Sequence, residues 1–196
     1  MIAIVNYGAG NLVSVKKAID WLGYECEVTT DPARVQEATS VILPGVGHFG
    51  STAALERSGL KAVLADAIVR SIPFLGICVG MQWMFEGSQE SPTTAGLGLL
   101  PGECERFPAN VKSPHVGWND LDIAASSVLF RGVPSSSFVY FTHSFRVPIT
   151  GDTVACCEYG DRFSAAVERE RLFGVQFHPE KSGEIGLTVL RNFCSL

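Results

Sequence analysis

From Ile2 to Phe85 the sequence switches repeatedly between two hydrophobic periods, and this alternation constrains the fold more than any other feature. Ile2-Ala3-Ile4-Val5 is continuously apolar, as a strand covered on both faces should be. Leu12, Val15, Ile19 and Leu22 then recur at helical spacing, and Gly23 follows as a C-terminal cap. An extended stretch over 25–29 comes next, and Asp31-Pro32 offers a helix start with proline in the first turn. Val41-Ile42-Leu43 is another buried strand, ending in Pro44-Gly45-Val46-Gly47. The spacing predicts helix over 51–70 with a break at Gly59. Phe74-Leu75-Gly76-Ile77 is a further central strand, and Val79 to Phe85 is expected to turn helical immediately after it. Strands and helices that alternate in this way build a parallel sheet covered by helices.

The second half reads differently. From Cys104 to Phe177 the pattern is mostly strand and loop, with extended runs at 116–118, 138–145, 154–158, 163–167 and 172–177. A last helix carries Ile185, Val189 and Phe193 at four-residue steps. Gly87 to Gly96 reads as a surface loop, and no repeat or linker interrupts the chain. The expectation is one α/β domain over 1–196, its sheet mostly parallel, with an antiparallel portion in the second half.

Composition removes several function classes. A chain of 196 residues can bury about 70% of its unfolded surface without the help of disulfide or metal. Apolar residues make up 46% and charged residues 18%, which excludes disorder. The net charge of −5 speaks against a broad nucleic-acid surface. Met1 to Asn6 has no basic head, so no signal peptide is expected. The apolar stretch over 74–85 is interrupted by glycines and falls short of the ~20 residues of a membrane span. Six cysteines, at 26, 78, 104, 156, 157 and 194, include no Cys-x-x-Cys pair. Reduced thiols and a cytoplasmic location are expected.

Three segments carry chemistry. In Gly76-Ile77-Cys78-Val79-Gly80 a buried strand runs straight into a helix, with a nucleophile candidate in the turn. Glycine two residues to either side leaves room for a tight elbow that forces Cys78 outward. The following helix aims free N–H groups at the sulfur and favours thiolate. A free cysteine is more often a small buried hydrophobe, and the elbow is what lifts Cys78 out of that class. His178-Pro179-Glu180 follows the strand over 172–177; residues two apart on extended chain share a side, so Glu180 can orient the imidazole. Thiol, base and orienting acid are the three parts of nucleophilic acyl transfer. The third segment, Leu43-Pro44-Gly45-Val46-Gly47, also ends a parallel strand, where open α/β sheets bind their ligands. Its N–H groups could stabilise an oxyanion beside the thiolate, and the two glycines let the Val46 peptide rotate at modest cost.

Gly-Ile-Cys-Val-Gly-Met-Gln (76–82) with Phe-His-Pro-Glu (177–180) resembles the class I, triad-type glutamine amidotransferases. The resemblance narrows with the strings at 6–12, 44–50, 114–119, 140–145 and 178–182. Together they are similar to the glutaminase-subunit family of imidazole glycerol phosphate synthase, over nearly the whole chain. Departures are small: Val79 where Leu is frequent, Val116 where Met is common, Phe145 where Tyr is common. None touches the triad.

The resemblance implies a flavodoxin-like α/β fold and a role for each matching residue. Cys78 is the nucleophile on the glutamine carboxamide, His178 the proton shuttle, and Glu180 holds the ring. The N–H groups of Val46 and Val79 form the oxyanion hole, while Gly47, Gln82 and Ser144 bind glutamine. Pro114, Trp118, Tyr140 and Lys181 face a separate (β/α)8-barrel synthase subunit in a heterodimer, which receives the ammonia. No cofactor or metal is implied. Gly8-Ala9-Gly10 lacks the third glycine of a dinucleotide fingerprint, Val13 standing there, and His48, His115, His143 and His178 lack metal-ligand spacing. Two rival functions remain: a glutaminase subunit for pyridoxal phosphate, anthranilate or aminodeoxychorismate synthesis, and a non-catalytic regulatory domain. Pro-His-Val-Gly-Trp-Asn (114–119) speaks against the first, and the intact triad against the second.

Overall fold

A computed structural model describes residues 1–124 and 126–196. Strand and helix alternate through β1 (Ile2–Val5), α1 (Leu12–Trp21), β2 (Cys26–Thr29), α2 (Pro32–Gln36), β3 (Ser40–Gly45), α3 (Ala53–Arg57), α4 (Leu60–Val69), β4 (Phe74–Cys78) and α5 (Val79–Gln82). The second half is strand-rich, with β5 (Gly87–Ser88), β6 (Glu103–Arg106), β7 (His115–Asp120), β8 (Asp122–Ile123) and β9 (Phe138–His143). It continues with β10 (Phe145–Arg146), β11 (Thr153–Tyr159), β12 (Asp161–Arg169) and β13 (Leu172–Val175), and closes on α6 (Gly183–Cys194).

The main sheet has the order β2-β1-β3-β4-β13-β12-β11-β8. Its first five strands are parallel, and the pairs from β13 outward are antiparallel. The parallel strands read as unbroken apolar runs because both faces are covered. Ile2 and Ile4 of β1 pack with Val15 and Ile19 of α1 and Val189 and Phe193 of α6 on one face. Ala3 and Val5 pack with Val35 of α2 and Leu60 and Leu64 of α4 on the other. Insertion of β13 beside β4 matters most for function. The Val175–Ile77 pairing brings the chain that leads to His178 alongside the chain that leads to Cys78.

Four sequence expectations need correction. The helix expected over 51–70 opens with a 3-10 turn, Phe49–Thr52, capped by the His48 side chain, before the break at Gly59. The helix expected over 79–85 is a single turn, Val79–Gln82. Beyond it the Met84 and Phe85 N–H groups turn to the Met81 and Gln82 carbonyls, three residues back, so the next turn tightens out of α geometry. The free carbonyls that follow are taken by a distant segment: Leu97 donates to the Trp83 carbonyl, Leu99 and Leu100 to that of Met84, and Gly98 to that of Phe85. The loop expected over 87–96 begins with a buried strand, since β5 pairs with β6 through Gly87–Glu103 and Ser88–Cys104. In the second half, the run expected over 172–177 is strand only to Val175.

Candidate active site

Cys78 closes β4 with φ 53° and ψ −109°, a conformation that side-chain-bearing residues rarely adopt. The glycines around it are obligatory on steric grounds. A Cβ on Gly80 would overlap the Leu43 carbonyl oxygen, and one on Gly76 would lie 2.6 Å from the Gly80 carbonyl oxygen. The elbow is thus held by backbone-to-backbone contact between β3, β4 and the turn. The sulfur it presents is buried, with 3% exposure.

His178 lies three residues beyond β13, with its backbone N–H on the Tyr140 carbonyl at 2.9 Å. Its Nδ1 donates to Glu180 Oε1 at 2.9 Å, and both side chains are excluded from solvent. The expected reason for their proximity, an extended His-Pro-Glu, is not the observed one. Only His178 is extended; Pro179–Lys181 forms a 3-10 turn that brings Glu180 back to the ring. With Nδ1 committed to Glu180, Nε2 is left for catalysis, and it has no hydrogen-bond partner among the described residues. Burial by itself lowers the imidazole pKa, but Cys78 and Glu180 outweigh it and push the group up to about 9. Its two neighbours thus favour the charged ring. The thiol acts on the ring without a completed hydrogen bond, a looseness common in unliganded sites.

A cavity of about 490 Å³ opens over the elbow. Val46, Gly47, Cys78, Val79, Gln82 and Ser144 all line it, as do Pro114 and Lys181. His178 and Glu180 do not line it; they support the nucleophile from within the protein. Trp118 and Tyr140 lie outside, paired across β7 and β9 with ring centroids 6.1 Å apart. Lys181 Nζ sits 5.8 Å from the Tyr140 ring centroid, so the expected partner face is continuous with the cavity mouth. Gln82 lines the cavity, yet its Nε2 is already engaged with the Phe145 carbonyl at 2.9 Å and with Gln176 Oε1 at 3.0 Å.

Four residues of the site escaped sequence reasoning. Asn11 Nδ2 donates to Glu180 Oε1 at 3.2 Å. Ser182 Oγ accepts from the Tyr140 N–H at 2.9 Å and donates to the His178 carbonyl at 2.6 Å. Glu90, whose Oε2 accepts from the Phe49 N–H at 2.6 Å, is the carboxylate lining the cavity. Gln176 Nε2 donates to Cys78 Sγ at 3.5 Å. Asn11 and Ser182 stand in strings that were singled out, and an amino-acid substrate calls for a carboxylate against its ammonium group. Nothing local marks Gln176. The two glycines that flank Val46 differ in their surroundings. Gly45 is paired with Cys78, and a Cβ there would come within 2.6 Å of Tyr7 Oη and 2.7 Å of Val79 Cβ. Gly47, with φ +88° and open space around it, keeps its latitude.

Residues 3–195 match the family model for Glutamine amidotransferase class-I. The chain belongs to this family. It is 48% identical to the imidazole glycerol phosphate synthase subunit HisH of Moorella thermoacetica, covering 100% of this chain and 94% of the relative. It is 46% identical to the subunit of the same name from Methanothermobacter thermautotrophicus, covering 100% and 98%. Among solved structures, a glutamine amidotransferase superposes with a TM-score of 0.78 at 17% identity, over 100% of both chains. PurLQS from Thermotoga maritima gives 0.77 at 22% identity, over 99% and 97%. At such low identity these structures speak for the fold alone. Among the described residues no helix is long and apolar enough to cross a membrane.

Proposed function

We propose that this chain is the glutaminase subunit of an imidazole glycerol phosphate synthase, with Cys78 as its nucleophile. The observation that carries the reading is the strained Cys78 elbow, backed by a buried His178–Glu180 pair and opening on one cavity. Cys78 Sγ attacks the side-chain carboxamide carbon of glutamine. The oxygen becomes anionic and is met by the N–H groups of Val46 and Val79, both at the cavity wall. His178, having taken the thiol proton, passes a proton to the departing nitrogen, and ammonia leaves the γ-glutamyl thioester. The imidazole, now neutral, takes a proton from water as it attacks the thioester, which releases glutamate and restores the sulfur. Glu180 fixes the ring through Nδ1 and favours its charged form.

Gly47, Gln82 and Ser144 hold the substrate, and Glu90 is suited by charge to its α-ammonium group. Ammonia passes to a (β/α)8-barrel subunit that makes imidazole glycerol phosphate and aminoimidazole carboxamide ribonucleotide. That partner docks on Pro114, Trp118, Tyr140 and Lys181. The relatives' name, a subunit of imidazole glycerol phosphate synthase, supports a partner subunit, and the cytoplasm is the compartment that free thiols suit.

Cys78→Ala tests the reading. Glutamine hydrolysis should vanish, while the complex should still form product from added ammonium salt. Single replacements of the other five cysteines should leave hydrolysis in place. Glutaminase activity in Cys78→Ala would remove the proposed mechanism.

A further inference from the structure

Gln176 is fully buried, one residue past the Val175–Ile77 pair and hence abreast of Cys78. We propose that Gln176 is a further catalytic residue: its side-chain N–H donates to the Cys78 sulfur and stabilises the thiolate, while Gln82 locks it in that orientation. The inference rests on the glutaminase reading and names a group that the triad leaves out.

The orientation follows from an accounting of donors and acceptors. A backbone carbonyl can only accept, so Gln82 must present its NH2 group to Phe145 O, 2.9 Å away. The same NH2 group faces Gln176 at 3.0 Å, so Gln176 must answer with Oε1. Its own NH2 group is then turned to Cys78 Sγ at 3.5 Å. Flipping Gln176 would set two NH2 groups against each other and place an oxygen lone pair on the sulfur. The anchor is itself anchored, since the Phe145 carbonyl also accepts from His143 Nδ1 at 2.9 Å. Burial lowers the His143 pKa to about 3, so the ring is neutral; its Nε2 accepts from His115 Nδ1 at 3.1 Å. The polarity of the string is thus set from β7 to the nucleophile.

A donor on the sulfur favours the charged form over the neutral thiol. Other titratable groups acting with the sulfur are His178 (held by Glu180), Tyr7 beyond β1 and Cys104 on β6. None is altered by a change at 176. A purely structural Gln176 would affect folding but not the titration of the nucleophile.

The experiment is site-resolved alkylation of Cys78 by iodoacetamide as a function of pH, read by peptide mass spectrometry on the full chain. Wild type is compared with Gln176→Leu and with Gln176→Glu. The Glu variant keeps the shape and the acceptor for Gln82 but replaces the donor by an acceptor. Both should move the Cys78 titration upward, the Leu variant by loss of the hydrogen bond alone and the Glu variant by that loss together with the added carboxylate charge. In the complex with the synthase subunit, kcat for glutamine should fall while KM changes little. Should the Leu variant fail to fold, the isosteric Glu variant carries the test. An unshifted Cys78 profile in folded Gln176→Glu, or a loss confined to KM, overturns the inference and leaves the glutaminase reading standing. Retained hydrolysis in Cys78→Ala overturns both.

Discussion

Glu180 carries two donors on one oxygen and none on the other. Oε1 takes His178 Nδ1 and Asn11 Nδ2, while Oε2 is buried without a partner among the described residues. A buried carboxylate so placed depends on the imidazolium it faces, and the dependence is mutual. Removing the ring removes the proton shuttle itself, so His178→Ala should lower kcat by about 10²–10⁴-fold. Glu180→Gln keeps a carbonyl that can accept from Nδ1 and loses only the charge, so its effect should be smaller. Steady-state glutaminase assays of the two variants in the complex decide the order; a larger loss in Glu180→Gln would deny it the role of orienter. At this scale the triad was legible because its members sit in short local strings. Asn11, Gln176 and Ser182 were not, since their meaning lies in contacts with residues far off in sequence. Gln176 meets Gln82 across 94 positions, and only the pairing of β13 with β4 makes them neighbours.

Elements explain why the nucleophile's strain is tolerable. A positive φ at Cys78 costs about 1–3 kcal/mol, and the elbow persists because β3, β4 and α5 meet with no room for another atom. Gly80→Ala would set a methyl group against the Leu43 carbonyl, between two backbones that cannot yield separately. Its cost should reach or exceed the upper end of the ~1–3 kcal/mol typical of overpacking. Gly47→Ala meets no atom within 4 Å and strains only its φ of +88°, so about 1–2 kcal/mol is expected. Urea denaturation of both variants reads the difference. If Gly47→Ala were the more destabilised, close packing would not be what holds the elbow. The alternation of periods made the parallel half readable, down to the Asp31 cap and the break at Gly59. The length of α5 was not readable, because the carbonyls of residues 83–85, just past it, are bonded by residues 97–100, a long-range pairing that leaves no trace in the local pattern.

On the scale of the whole molecule, the candidate partner face and the base are tied by backbone. Val116, Trp118 and Phe138 are each more than half exposed on the β7–β9 pair, an apolar strip such as a partner would cover. Tyr140, opposite Trp118, gives its carbonyl to the His178 N–H, and Ser182 bridges the Tyr140 N–H to the His178 carbonyl. A partner docked there would therefore be felt at the seat of the base. An idle lone subunit makes chemical sense, because ammonia released into water becomes ammonium, which is no nucleophile. In the proposed mechanism the adjustable element is the Val46 peptide, which turns about the Gly45 and Val46 backbone bonds while Gly47, with open space around it, takes up the change. With its N–H turned to the oxyanion the site is competent, and with a carbonyl there it lacks one donor, a loss worth about 10²–10³-fold in rate. A partner that binds the competent arrangement more tightly shifts the population toward it, and ligand on the partner shifts it further. Glutamine turnover should therefore be low for the subunit alone, higher with the synthase subunit, and highest with that subunit's nucleotide substrate bound. Full activity in the lone chain would leave the switch without a task. In the complex, Trp118→Ala or Lys181→Ala should lower turnover or uncouple it from product formation, since each removes part of the face that joins the partner to the cavity mouth. Unchanged turnover and unchanged ammonia transfer in both would place the docking surface elsewhere on the molecule.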